Sequence, residues 1–356
     1  MTVQVDAGGM WPPETHEVFN QPEPLEPFHA WRSDVALREA VAREGGGWAA
    51  ERLDAYGHAA GGPLFAAGFL AERNPPQFHP HDRYGRRINL VEYHPAYHEL
   101  MRAAIEAGLP SLPWTGARAG AHVARAALEY MHNQADSGSG CPLTMTFAAI
   151  PALRLQPDVG ADWIRRATAR AYDGANRPWH EKAGITLGMA MTEKQGGTDV
   201  RANTTRARPL AGAGPGALYA LSGHKWFCSA PMCDGFLVLG QAPGGLSCFL
   251  LPRWHPDGGL NGLYVQRLKN KLGNRSNASS EIELREAAAW MIGPEGRGVP
   301  TIIEMVMMTR FDCIVGSASL MRQALAQALH HCTQREVSGR RLADHALMRN
   351  VLADLA

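Results

Sequence analysis

A chain of 356 residues that is 45% hydrophobic and 19% charged has room for two or three domains and a sizeable core. Its formal net charge of +1 leaves no global field to draw in nucleic acid, a membrane surface or an acidic substrate. The apolar runs are too short and too interrupted to cross a bilayer, and the six cysteines lie scattered with no C-x-x-C pair, so reduced structural thiols and no metal site are expected.

In chain order, residues 1–27 read as an acidic, proline-rich arm without a basic-then-apolar leader pattern, which points to a cytoplasmic protein. Residues 28–185 read as helices joined by Pro/Gly punctuation. Ser33-Asp34 suits an N-cap for the helix over 30–44, with Gly45-Gly46-Gly47 as its stop. Asn74-Pro75-Pro76 through Gly85 is expected to be a loop, and Cys141–Ala148 a helix start with an early proline. The threonines there, Thr144 and Thr146, are expected to cap or back-bond rather than face a cavity.

From Ile185 the texture changes to short β-rich runs at 204–209, 218–222, 236–241, 246–251, 264–268 and 280–284, spaced as in an all-β barrel or sandwich. Gly212–Gly216 has no strand-to-helix setting, so it reads as a hairpin tip and not as a dinucleotide fingerprint. Helical spacing returns from Pro300 to about Cys332, and again from about Arg341 to Ala356 with no capping residue, as in a chain cut short within a bundle. The order is helices, a β-domain, then helices, an α+β multidomain layout with no βαβ alternation and hence no Rossmann sheet. The expected domains are 28–185, 186–295 and 296–356.

The stretch Met191-Thr192-Glu193-Lys194-Gln195-Gly196-Gly197-Thr198-Asp199-Val200 gathers hydroxyls, adjacent glycines and acids in one turn. Adjacent glycines let a ligand approach the main chain closely, and threonine hydroxyls are donors. With Gly223-His224-Lys225-Trp226-Phe227-Cys228-Ser229 it resembles the flavin-binding T-E-x-x-x-G-S-D and K-W-I-T segments of the acyl-CoA dehydrogenases. More narrowly, Asn203–Ala207, Val18–Leu25, Gly140–Ala148, Gly244–Pro252, Lys269–Ser279 and Met308–Gly316 resemble the AidB-like branch, associated with the adaptive response to alkylation damage.

The resemblance implies an N-terminal helical domain, a central β-barrel and a C-terminal helical bundle, here incomplete, with FAD as cofactor. It implies that Met191 and Thr192 contact the polar edge of the flavin, that Thr198 reaches its pyrophosphate or ribityl region, that Trp226 flanks the ring, and that Gly197 and Phe227 are further cofactor-binding residues. Cys228 and Ser229 both fall where the family places a hydroxyl near the ring's reactive nitrogen, Ser229 being favoured. Arg335 resembles an arginine that reaches a neighbouring subunit's flavin, although Ser338 stands where that segment has an aromatic. Arg310 matches a position near the substrate channel.

The family's catalytic glutamate is expected beyond Ala356, so no catalytic base is assigned. Thr309 stands where some relatives supply that base, and Glu304 lies one turn away. The resemblance further implies a homo-oligomer (a tetramer in the family), acyl-CoA as a possible ligand with weak or no turnover, and DNA binding through a basic C-terminal region. An ordinary acyl-CoA dehydrogenase of branched-chain type and an inactive fragment with exposed apolar helix faces are the alternatives.

Overall fold

The computed structural model describes residues 15–356, so the first half of the expected arm lies outside the described residues. The described residues form two compact units, Glu26–Met321 and a second made of residues 15–25 together with Arg322–Ala356.

The larger unit begins with helices α1 (Val35–Arg43), α2 (Ala50–Ala60) and α3 (Pro63–Arg73). Asp34 caps α1 by accepting from Leu37 N at 2.9 Å, as its position before the apolar period suggests. The segment expected as a loop is instead a hairpin, β1 (Gln77–His81) and β2 (Arg87–Glu92), with a register irregularity between His79 and His81. Pro80, which has no N–H to give a ladder, sits at that irregularity.

Helices α4 (Pro95–Ala107), α5 (Leu112–Thr115), α6 (Ala121–Ala135), α7 (Ser137–Leu153) and α8 (Pro157–Ala167) follow. α7 begins a turn earlier than Cys141-Pro142 suggests, because Asp136 accepts from Ser139 N at 2.7 Å and caps it there. A core of Leu53, Leu100, Met101, Leu128, Met131 and their neighbours joins α2, α3, α4 and α6.

The sheet strands are β3 (Leu187–Ala190), β4 (Arg206–Ala211), β5 (Leu218–Ser229), β6 (Gly235–Ala242), β7 (Gly245–Pro252), β8 (Leu263–Leu268) and β9 (Ser279–Ile292). β4 pairs with β5, β5 with β9, β9 with β7, β7 with β6, and β6 returns to β4 through Arg206 and Gln241, which closes a barrel. β3 adds in parallel to β6, and β8 adds to β9. Phe236, Phe249, Tyr219 and Met291 fill the barrel, and the same core runs outward through Phe147 of α7 and Trp163 of α8 to Ile302 and Met305.

Those last two residues belong to α9 (Gly298–Gln334), within which the boundary between the two units falls. In the larger unit α9 buries Ile302, Met305, Thr309 and Asp312 but exposes Met307, Phe311, Ile314 and Met321, so one side of it carries an apolar stripe.

In the smaller unit the end of α9 leads into a short hairpin, β10 (Glu336–Val337) and β11 (Arg340–Arg341), and then α10 (Ala346–Leu355). The hairpin turns on Ser338 and Gly339 with φ of 52° and 72°, the positive pair that a tight two-residue turn requires. Asn20 fastens the N-terminal stretch to it, donating to Glu336 O at 2.8 Å and accepting from Glu336 N at 2.8 Å.

Candidate flavin and ligand cavity

Strand β5 runs on past its hairpin partner into Trp226-Phe227-Cys228-Ser229, and the turn after β3 carries Met191–Val200. Hydrogen bonds lock these segments together, among them one from Lys194 N to His224 Nε2 at 2.9 Å. Trp226 N donates to Thr192 O at 2.7 Å, and Lys225 Nζ donates to Glu193 Oε1 at 2.8 Å. Glu193 is wholly buried and also accepts from Gln195 Nε2 and from the main-chain and hydroxyl donors of Thr204 and Thr205. Burial works against its charge, but Lys225, Thr204 and Thr205 outweigh burial and hold the carboxyl well below the usual range. Glu193 is therefore the structural knot of the motif, with no lone pair left for a ligand.

Strand alternation then sorts the following residues. Cys228 points into the barrel core with no exposure, and burial pushes its thiol up. Phe227 and Ser229 point the other way and line a cavity of about 510 Å³, together with Met191 and Thr192. Trp226 is half-buried beside this wall, with Lys269 Nζ 3.4 Å from its ring centroid and Lys194 Nζ and Arg267 Cζ each at 5.8 Å. Gly197 and Thr198 lie on the exposed turn, and a Cβ at Gly197 would come within 2.5 Å of Thr192 Oγ1. The close turn thus needs glycine to leave the Thr192 hydroxyl where it is.

Not every expected residue joins this wall. Arg335, expected at a neighbouring subunit's flavin and not at this wall, belongs to the smaller unit, where Nη1 donates to Asn20 O at 2.6 Å. Arg310 and Glu304 are exposed and do not line the cavity, whereas Thr309 lines it and donates to Val306 O at 2.9 Å.

The opposite end of the cavity is polar, and the sequence reading missed it. α6 contributes Glu129 and Asn133, α7 contributes Cys141 and Thr144, and α9 contributes Asp312 and Cys313. Arg125, one turn before Glu129 and wholly buried, reaches both carboxylates: Nη1 bonds Asp312 Oδ1, and Nη2 lies 3.5 Å from Glu129 Oε2. Its third side-chain nitrogen, Nε, donates to Leu109 O at 3.1 Å, and its Cζ stacks 3.9 Å from the Phe147 ring centroid. Thr144 Oγ1 stands 2.7 Å from Asp312 Oδ2 and 3.3 Å from Glu129 Oε1, while Asn133 Nδ2 donates to Glu129 Oε1 at 2.7 Å.

Thr144 therefore does face the cavity, while Thr146 back-bonds to Pro142 O at 2.7 Å. One guanidinium serves two buried carboxylates, and burial, with Asp312 adding to it and Arg125 opposing, pushes Glu129 up to about 7. The available signal was Arg125, Glu129 and Asn133 at helical spacing along a helix otherwise rich in alanine. Such a run reads as a solvated face unless a third helix is known to cover it.

Three family models cover most of the chain: the adaptive response protein AidB N-terminal domain at residues 20–174, the acyl-CoA dehydrogenase middle domain at 188–287, and the acyl-CoA dehydrogenase C-terminal domain at 296–356. The chain belongs to the acyl-CoA dehydrogenase family. Its N-terminal region places it in the AidB-like branch, and it is 47% identical to the AidB protein of Escherichia coli over 96% of this chain and 63% of that protein. It is 30% identical to acyl-CoA dehydrogenase family member 11 of Caenorhabditis elegans over 81% of this chain and 48% of that one. The chain thus spans about half to three-fifths of these relatives' length.

Among solved structures, the Caenorhabditis elegans ACDH-11 complex with C11-CoA superposes with a TM-score of 0.86 at 27% identity, covering 97% of this chain and 60% of that one. The apo form of Bd2924 gives 0.85 at 29% identity, covering 95% and 68%. No helix among the described residues is long and apolar enough to cross a membrane.

Proposed function

We propose that the chain carries the flavin-facing part of an acyl-CoA dehydrogenase-type site in an AidB-like protein. FAD would lie against Met191, Thr192, Phe227 and Ser229, and the acyl end of a CoA thioester would enter the cavity beside it. The observation that carries this reading is the convergence of both motif segments on one cavity wall. An aromatic face, methionine side chains and two hydroxyls suit a flat ring with a polar edge, and the cations around Trp226 suit an anionic pyrophosphate. Bound there, FAD would supply a two-electron acceptor. Thr192 and Ser229 would donate hydrogen bonds to the ring edge, and the methionines and Phe227 would keep water from it.

Weak or absent thioester turnover fits the same residues. Thr309 has no basic group, Glu304 is off the cavity, and both cavity carboxylates are engaged by Arg125. The net charge of +1 does not favour these residues as a DNA-binding surface. The C11-CoA held by the nematode relative makes that thioester the natural probe.

The test is a visible absorption spectrum of the purified chain after FAD is supplied and the excess removed. A flavin band that stays with the protein, and is perturbed by C11-CoA, is the expected result. A colourless protein overturns the reading for this chain.

A further inference from the structure

The polar end of the cavity holds an imbalance that the flavin wall does not explain. Two carboxylates, Glu129 and Asp312, share one guanidinium, that of Arg125, and all three side chains are buried. Asp312 is well served: Oδ1 takes Arg125 and Oδ2 takes the Thr144 hydroxyl at 2.7 Å. Thr144 has a single hydroxyl proton, so the shorter contact leaves its 3.3 Å approach to Glu129 unmade. Among the described residues Glu129 then keeps the Asn133 amide at 2.7 Å and an Arg125 contact stretched to 3.5 Å. A carboxylate accepts about four hydrogen bonds when fully served, so Glu129 faces the cavity under-donated.

Apart from these two carboxylates the lining carries no charged side chain: its other polar groups are hydroxyls, thiols and amides, set among the apolar Met145, Met189, Met191, Phe227 and Leu320. A plain alkyl chain filling the cavity would press its last carbons against a carboxylate already short of donors and strip its remaining water. A buried polar group left unpaired in that way costs far more than a missing methylene contact returns.

We propose that Glu129 is a specificity-determining residue of this cavity, selecting a ligand whose inner end donates hydrogen bonds, a hydroxyl or above all an ammonium, over a plain alkyl or carboxylate end. The proposal rests on the reading that the cavity takes the acyl portion of a ligand. An ammonium end would complete the neutralisation that Arg125 leaves half done. A hydroxyl end would supply the missing donor without charge. A carboxylate end would add a third negative group beside one cation.

The test uses the full chain and two independent sets of probes at pH 8. In the first, n-butylamine (as its ammonium), n-butanol and butyrate are titrated by ligand-detected NMR into the wild type and into Glu129→Gln, which keeps the side chain's shape. The expected order in the wild type is ammonium, then alcohol, then carboxylate, with at least tenfold between the ends of the series and a tenfold loss of butylammonium affinity in Glu129→Gln. In the second, C11-CoA is titrated into the wild type and Glu129→Leu, where the leucine variant is expected to bind this plain alkyl thioester at least tenfold more tightly.

Equal binding of the three small probes, or no binding of any, overturns the proposal without reference to any variant. Unchanged butylammonium affinity in folded Glu129→Gln overturns it as well. Absent C11-CoA binding with the small-probe order intact strikes the thioester reading and leaves the role of Glu129 supported.

Discussion

Lys225 Nζ donates to Glu193 Oε1 at 2.8 Å with neither side chain exposed, and this one ion pair ties the turn after β3 to the middle of β5. Lys225 also donates to Leu239 O at 2.8 Å, which extends the tie to β6. Residues proposed to face the flavin sit close to the pair on both segments: Met191 and Thr192 just before Glu193, Phe227 two residues after Lys225. The pair positions the site without entering it.

Breaking that pair should leave a buried carboxylate without the cation that it is paired with among the described residues. Lys225→Met is expected to destabilise the larger unit by about 3–5 kcal/mol, towards the lower end because the threonine donors of Glu193 remain. Chemical denaturation followed by tryptophan fluorescence measures this. Loss of flavin retention should accompany the change, and a stability within 1 kcal/mol of the parent, on the order of an exposed pair, would contradict the assignment.

Cys228 and Ser229 are adjacent yet should fail differently. Ser229→Ala removes a hydroxyl on the cavity wall and should weaken flavin retention with little change in stability. Cys228→Ser places a hydroxyl in the barrel core and should cost about 1–3 kcal/mol, with flavin contacts intact in the protein that remains folded. Paired measurements of flavin affinity and denaturation midpoint separate the two. A reversed pattern would mean that the strand faces the other way.

The Lys269–Ser279 stretch has a structural task that its sequence does not announce. Ser276 Oγ donates to Asp136, 2.9 Å from Oδ1 and 3.0 Å from Oδ2, and Asp136 is the N-cap of α7. Ser276→Ala should therefore cost about 1.5–3 kcal/mol, the range for a hydrogen bond to a charged group. Gly138→Ala should be at least as damaging, because its Cβ would come within 1.9 Å of the same Oγ. Thermal denaturation of both variants checks the link.

The pH dependence of stability should carry two opposed contributions from α6. Glu129 is raised from 4.5 to about 7 by burial, so between those values the folded protein keeps a proton that the unfolded chain releases. Stability from this group therefore falls as pH rises through that window, by roughly 3 kcal/mol in all at about 1.4 kcal/mol per pKa unit.

His132, bonded to Tyr56 Oη at 2.8 Å and Ser139 Oγ at 2.9 Å, is lowered by burial from 6.5 to about 4. Its contribution is present above 6.5 and lost as pH falls towards 4. Glu129→Gln removes the first effect alone. The variant should be more stable than the parent above pH 7, on the order of the same few kcal/mol, and should lose stability more steeply on acidification. Denaturant midpoints from pH 4.5 to 8.5 in the two proteins decide it, and parallel profiles would refute the assignment to Glu129.

Much was determined by the sequence alone, because it rests on local patterns. Apolar residues at helical spacing, short alternating runs between turns, and Asp34 ahead of Val35 all encode their own elements, so helices, barrel and helices were legible in order. The motif segments at Met191–Val200 and Gly223–Ser229 identified the family for the same reason: each is a short run whose residue types are set by one backbone turn or one strand. Even the Cys228–Ser229 ambiguity was bounded, since alternation allows only one of two neighbours to face a ligand.

What only the tertiary structure decided are relations between distant segments. The stretch from Asn74 to Gly85 reads as a loop until β1 pairs with β2, with Pro80 at the register irregularity. Glu193 reads as one more acid in a polar turn until Lys225, Thr204 and Thr205 close around it. Arg125, Glu129 and Asn133 read as a solvated helix face until α7 and α9 bury them beside Asp312, far along the chain. Burial makes the difference: the same carboxylate is an ordinary surface charge in water and a proton-holding, donor-seeking group once three helices have removed the solvent.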